Sequence, residues 1–212
     1  MRGMMMKKPN MTAPTFKAIF GADWDNLPEV MKQHYAARPD SDDLIIAEGL
    51  MTVESSPVIR ALKPLFHFMG TLVPYEGKDI PVTVHYRSRP GSDAFELDRI
   101  FHFPGRAPYR YRSTMYPVEG RQVAEVMKFG LCWRTLFSWR DGKVRMAHRG
   151  YGFRIFGRII PFPIDFLFGW VYAEETPIND HEFSMMMEII HPWTGKQYGY
   201  SGRFKIIQRR ES

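Results

Sequence analysis

Residues 131–140 read Leu-Cys-Trp-Arg-Thr-Leu-Phe-Ser-Trp-Arg, and Asp141-Gly142 leads from them into 143–153, Lys-Val-Arg-Met-Ala-His-Arg-Gly-Tyr-Gly-Phe. Side chains alternate along an extended chain, so Leu131, Trp133, Thr135, Phe137 and Trp139 share one face while Arg134 and Arg140 look out. Asp-Gly between two such runs is a hairpin turn, because glycine adopts positive φ without steric cost. So short a connection makes the two strands antiparallel. The same reading carried outward predicts strands over 80–88, 94–103, 108–117, 120–128, 180–191 and 196–208, with turns at Arg89-Pro90-Gly91-Ser92, Glu119-Gly120 and Thr194-Gly195. Leu44 to Val53 reads as one strand more. A sheet this wide curls, so a partial barrel is expected.

The remainder of the N-terminal third reads as helix. Phe16, Ile19 and Phe20 form one apolar turn ending at Gly21, and Leu27, Val30, Met31 and His34 share a face of a second helix that Asp25 or Asn26 can cap. A third is expected from Pro57 to about Met69, with Ile59, Leu62, Leu65 and Phe66 on one side and Gly70 as its stop. The fold class is therefore α+β: N-terminal helices packed on a strongly curved, largely antiparallel sheet of about eight or nine strands. A lead over 1–13, a single domain over 14–208 and a tail over 209–212 complete the organisation.

Residues 154–172 interrupt the strand pattern with a very apolar run holding Arg154, Arg158, Asp165, two prolines and two glycines. That content excludes an ordinary membrane-spanning helix. Two readings stand: a buried connection with a short helix near 163–169 plugging one end of the sheet, or a hydrophobic lid that meets a membrane interface.

Composition narrows the function class. A formal charge of +6 is spread along the chain rather than gathered into a stripe, so no nucleic-acid partner is expected. Cys132 is the only cysteine, which excludes an internal disulfide and a cysteine-rich metal site, and it reads as a buried structural thiol. Pro9, Asn10 and Thr12 follow the first basic residues where a secretory signal needs an apolar run, so the chain is expected in the cytoplasm. No nucleophile elbow, phosphate-binding glycine loop or converging histidine set is present, and the cofactor, if there is one, is left unknown by the sequence.

Alternation also puts three ionisable residues on apolar faces. Arg99 goes inward with Leu97, Phe101 and Phe103; Glu125 lies between Val123 and Met127; His191 ends the run Phe183, Met185, Met187, Ile189. Buried charges are paired or bound to something. Arg99 and Glu125 therefore hold each other, with His191 capping a strand end, or all three mark a polar spot in a ligand cavity. Glu174 and Glu175 could join them from a loop.

The motifs Asp98-Arg99-Ile100-Phe101, Tyr111-Arg112-Ser113-Thr114-Met115, Val123-Ala124-Glu125, Gly150-Tyr151-Gly152, Ile160-Pro161-Phe162-Pro163, Ala173-Glu174-Glu175 and His191-Pro192-Trp193-Thr194-Gly195 resemble a bacterial domain family of unknown function. Phe20-Gly21-Ala22-Asp23-Trp24-Asp25-Asn26-Leu27-Pro28 is similar to its opening motif, and the resemblance covers roughly 15–208. The family occurs alone or fused C-terminal to saccharopine-dehydrogenase-like oxidoreductases, so the resemblance implies an oxidoreductase as a partner by analogy. It brings no known activity. It implies motif positions at Arg99, Arg112, Glu125, Glu174 and His191, and Leu97 departs from a tryptophan expected there.

Three functional expectations follow. The first is a module binding a hydrophobic or amphipathic small molecule inside the curved sheet, with Arg99, Arg112, Glu125, Trp133, Glu174, His191 and Tyr200 as ligand contacts. It needs a cavity above about 300 Å³. The second is an enzyme with Glu125 or His191 as acid–base group and Arg99 or Arg112 holding an anion. The third is a peripheral-membrane or protein-interaction domain acting through 154–172.

Overall fold

The computed structural model describes residues 13–210. The expected lead over 1–13 lies, Ala13 apart, outside them. Eleven strands form one sheet: β1 Leu44–Ser55, β2 Gly77–Ser88, β3 Phe95–Phe101, β4 Tyr109–Pro117, β5 Gln122–Val126, β6 Leu131–Arg140, β7 Lys143–Ile155, β8 Arg158–Phe162, β9 Trp170–Pro177, β10 Glu182–His191 and β11 Gly195–Arg210. Their order is β6-β5-β4-β3-β2-β1-β11-β10-β9-β7-β8, and β6 also pairs with β7. Ten strands thus close into a barrel, every pairing antiparallel, and β8 stands outside as an arm on the far half of β7. Closure removes the edges that an open sheet would expose.

The partial barrel expected from the sequence is therefore a full one: β9, which the sequence reading lacked, bridges β10 and β7, while β8, also not expected, adds the arm outside the barrel. β8 and β9 lie in or after the apolar run over 154–172. β9 keeps period two, with Val171, Ala173 and Glu175 buried, but bears a glutamate where the other inner faces bear mostly apolar residues. Most of the other predicted strands begin or end within three residues of their expected limits.

Helices close the barrel's lower end, where β1 and β7 begin. α1 (Thr15–Phe20), a 3₁₀ turn over Gly21–Asn26 and α2 (Glu29–His34) form a stopper. Phe16, Ile19, Phe20, Val30 and Met31 on it are almost completely buried. Phe16 meets Phe95 and Phe137 edge-on, with ring centres 5.0 and 5.2 Å away. Burial of each such side chain contributes on the order of 2 kcal/mol. Gly49 on β1 and Gly202 on β11 let the coiled strands approach: a Cβ at Gly202 would come 2.5 Å from the Leu50 carbonyl oxygen, and one at Gly49 would clash with that of Arg203.

The opposite, upper end is covered by α3 (Pro57–Ala61), α4 (Lys63–Met69) and α5 (Asp165–Phe168). The single helix expected over 57–69 is two, because Pro64 in the first turn of α4 breaks the ladder after Leu62. Only Phe66 of its expected apolar face is buried; Leu62 and Leu65 are exposed. The run over 154–172 does supply the short helix expected over one end of the sheet, with Phe168 against the core, but most of its apolar side chains are not buried. It forms the tip of the β7–β8 arm, α5 and the start of β9, and Ile155, Phe156, Ile160, Phe162, Phe166, Leu167 and Trp170 are exposed. Among the described residues no helix is long and apolar enough to cross a membrane.

Candidate functional site: a charged interior and an apolar rim

Two clusters stand out, one inside the wall and one on its upper end. Inside, the expected pair forms. Arg99 on β3 donates from Nη2 to Glu125 Oε1 on β5 at 2.9 Å, and from Nη1 to Ser113 Oγ on β4 at 3.1 Å. Ser113 Oγ donates to the same Glu125 oxygen at 2.6 Å. Burial alone would lower the Arg99 pKa, but the Glu125 carboxylate together with the Tyr200 and Tyr111 phenols reverses this and raises it.

A second pair faces the first, and strand alternation alone does not join it. His34 Nε2 on α2 lies 3.3 Å from Glu175 Oε1 on β9, and the Tyr35 hydroxyl donates to the other Glu175 oxygen. Burial would push the Glu175 carboxyl up; the His34 contact, the Tyr35 hydrogen bond and the Arg99 charge reverse this and hold it below the usual carboxylate range. The one clue in the sequence is parity: Glu175 shares its phase with Val171 and Ala173, so it points in and Glu174 points out. His34 can be placed on the buried face of α2, but nothing in a helix face names a partner on β9.

Arg99, Glu125, Trp133 and Tyr200 converge on the interior, where they border one void of about 50 Å³ together with His34, Glu175 and Tyr86. Burial, opposed by Arg99 and aided by both glutamates, pushes the Tyr200 phenol up to about 12. The other three predicted contacts lie elsewhere. Arg112 sits on the outer wall, 3.5 Å from Asp98. Glu174, also outside, is paired with Lys143 at 3.1 Å and Arg145 at 3.3 Å. His191 has inward parity, but a bulge after Ile189 and the end of the closed wall leave it on the upper end, where its Nε2 lies 3.0 Å from the Phe166 carbonyl oxygen. Cys132 is buried, and burial, opposed by Arg134, pushes its thiol up to about 11.

The upper end carries the second cluster, and side-chain contacts link it from piece to piece. Trp193, the most exposed of the tryptophans, packs on His191 with ring centres 5.3 Å apart, and His191 contacts α5 at Phe166. Phe168 of α5 meets Phe66 of α4 at 6.2 Å, and Phe68 of α4 meets Phe129 of the β5–β6 turn at 5.3 Å. Phe68, Phe129, Phe166, Leu167 and Trp193 are all exposed, as is the neighbouring hairpin tip, where Phe156 is fully so. Cations thread this rim: Lys128 lies 5.4 and 4.9 Å from the Phe68 and Phe129 ring centres, and Lys63 and Arg106 sit over Tyr75 at 4.4 and 4.5 Å.

α5 is tied down by β7. His148 contacts Asp165 through Nε2, while its Nδ1 accepts from Trp133 Nε1 at 3.1 Å; Tyr151 donates its hydroxyl proton to the Gly169 carbonyl at 3.0 Å. The two clusters therefore share Trp133, which borders the interior void and bonds to the histidine that anchors α5.

Fold and site together define a helix-stoppered antiparallel barrel with a filled, charged interior and an apolar rim. The chain belongs to the family described as a domain of unknown function (DUF4166), whose pattern spans residues 27–204. No curated protein matches the chain. Among solved structures it is similar to the dehydratase domain of the polyketide PpsC from Mycobacterium tuberculosis, at 6% identity over 89% of this chain and 84% of that one. The TM-score of 0.19 is too low for that likeness to bear on fold or function.

Proposed function

We propose that the protein is a peripheral membrane domain that seats its upper rim on an anionic lipid surface. The observation that carries this is the pairing of exposed aromatics with free cations. Among the described residues Lys63, Arg106, Lys128, Arg154 and Arg158, all on the elements of this end, make no ion pair. Glu54, Glu76, Asp165 and Glu188 at the same end are each already engaged. The rim is thus apolar with a surplus of positive charge. Each lysine or arginine near an anionic leaflet contributes about 1 kcal/mol, and tryptophan is at home at headgroup depth.

The other two readings have less behind them. A void of about 50 Å³ falls well short of the roughly 300 Å³ from which small-molecule pockets begin, so a hydrophobic ligand has no room inside the closed barrel. Of the acid–base reading only Glu125 with Arg99 comes together, 2.9 Å apart, and the Glu125 oxygen concerned is already taken by Arg99 and Ser113; His191 lies on the rim and Arg112 on the outer wall.

Co-sedimentation tests the proposal. Vesicles of phosphatidylcholine with phosphatidylserine should pellet the protein at low salt, and high salt or pure phosphatidylcholine should release most of it. Replacing Trp193 and Phe156 together by Ser should weaken binding at least tenfold, given roughly 1.5–3 kcal/mol per buried large apolar side chain. Absence of binding to the anionic vesicles at low salt, or binding that the double variant leaves intact, overturns the reading. A rim that instead pairs copies of the chain, or meets an oxidoreductase as the family analogy suggests, would appear as rim-dependent complexes in gel filtration without vesicle binding.

A further inference from the structure

Among the described residues the charge of the interior is balanced only in one state of His34. Inside the wall Arg99 faces two carboxylates, Glu125 and Glu175, and His34 is the remaining basic group. Asp43, also buried, belongs to the lower rim and is held by Arg38 at 2.7 Å. A neutral His34 that donates Nε2–H to Glu175 leaves the interior at −1. A protonated His34 restores the balance but buries an Nδ1–H, an atom for which no acceptor is in reach. Either state is incomplete.

The void beside these groups is incomplete in the same sense. Glu125 accepts both of its hydrogen bonds at Oε1, so among the described residues Oε2 is unused. The hydroxyls of Tyr86 and Tyr200, each more than nine-tenths buried, have no hydrogen-bond partner among the described residues. All three residues border the same 50 Å³. Unused acceptors around an enclosed void are where proteins hold a small polar guest.

We infer that the barrel interior is a binding site for a small monocation with N–H donors, ammonium or a short primary amine, held by Glu125 Oε2 and the hydroxyls of Tyr86 and Tyr200. A positive unit suits the carboxylates, Glu125 Oε2 asks for a donor, and the two phenol oxygens, which carry protons of their own, can each accept a further hydrogen bond. A void of this size takes a few heavy atoms, so a methylammonium group fits and a trimethylated one does not. No three His, Cys, Asp or Glu side chains among the described residues are placed to hold a metal ion, which favours an N–H donor over a coordinated cation. Entry needs no permanent channel. Met51, Met115, Met146, Met185 and Met187 line the void, and unbranched thioether chains rearrange readily.

The experiment is thermal unfolding of the full chain in methylammonium, ammonium, potassium and tetramethylammonium chlorides at equal ionic strength. Saturable stabilisation by methylammonium and ammonium, with potassium and tetramethylammonium alike and without that effect, is the expected result. Tyr200→Phe, which keeps the ring, should weaken the half-saturating concentration severalfold, and Glu125→Gln should abolish the effect. If Glu125→Gln does not fold, the Tyr200→Phe shift and the signal of bound ¹⁵N-ammonium decide. Equal response to all four salts, a potassium response that matches ammonium, or stabilisation that follows pH with no amine effect overturns the proposal.

Discussion

Arg99 and Glu125 show what alternation alone can read. Their inward phase follows from counting residues along β3 and β5, and a buried charge demands a partner, so the pair is legible in the sequence itself. Glu175 is not, because it follows an apolar run that hides the start of its strand, and the same counting over-reads His191, which has the right phase on a strand that outruns the barrel. The two pairs also differ in what they contribute. A buried ion pair is seldom more stabilising than apolar side chains of the same volume, yet removing one partner strands the other. Arg99→Met alone should therefore cost about 3–5 kcal/mol, and Arg99→Met with Glu125→Leu should recover most of that loss. Urea unfolding checks this; a double variant no more stable than the single one defeats it. Glu175 makes a pH-dependent contribution. Its folded pKa is depressed, so its stabilisation is complete above the unfolded value of about 4.3 and is lost as pH falls through the folded one. Glu175→Gln should be less stable than the parent at neutral pH, with the gap narrowing below pH about 4. A gap constant with pH would show that Glu175 acts by shape alone.

At the scale of elements, the β7–β8 hairpin is the feature that local rules explain least. Ile155 pairs with Arg158 across a two-residue turn in which both Phe156 and Gly157 have positive φ, 48° and 78°. Asn-Gly is the sequence such a turn favours. A phenylalanine there is held in a strained conformation while its ring has nothing to pack against. Phe156→Asn should relieve roughly 1 kcal/mol of strain and raise the melting temperature, while weakening binding to anionic vesicles. A variant that gains stability and keeps its vesicle affinity would remove Phe156 from the docking surface. Among the described residues no strand covers the arm's outer edge, and Pro161 and Pro163 deny it the N–H groups a further strand would need. The turn is unreadable from the sequence because Phe-Gly is not a turn signal, and an apolar run of that length suggests burial.

For the whole molecule, hairpins and helix faces are legible because both are local. Closure is not, since it depends on β7 finding β6, β8 and β9 at different points along its length. Nor is the fill of the interior, which is set by how far Phe16, His34 and Tyr35 reach up from the stopper between the walls. A curved sheet suggests a container, and here the N-terminal helices occupy it. That moves the functional weight from the inside of the barrel to its rim.

The pairing of β1 with β11 has a consequence for how the chain is made. Leu44 lies opposite Arg210, so the strand that opens the wall waits for the one that completes it. Ribosomes add about 5–20 residues per second, which leaves β1 without this neighbour for on the order of 10 s. During that interval the half-built wall exposes an unpaired edge beside Leu50 and its apolar neighbours. The seam can form only once β11 has emerged, and non-local pairing of this kind is slow. The nascent chain is therefore a natural client for chaperones that shield strand edges, and its yield on overproduction should depend on them more than its native stability would suggest.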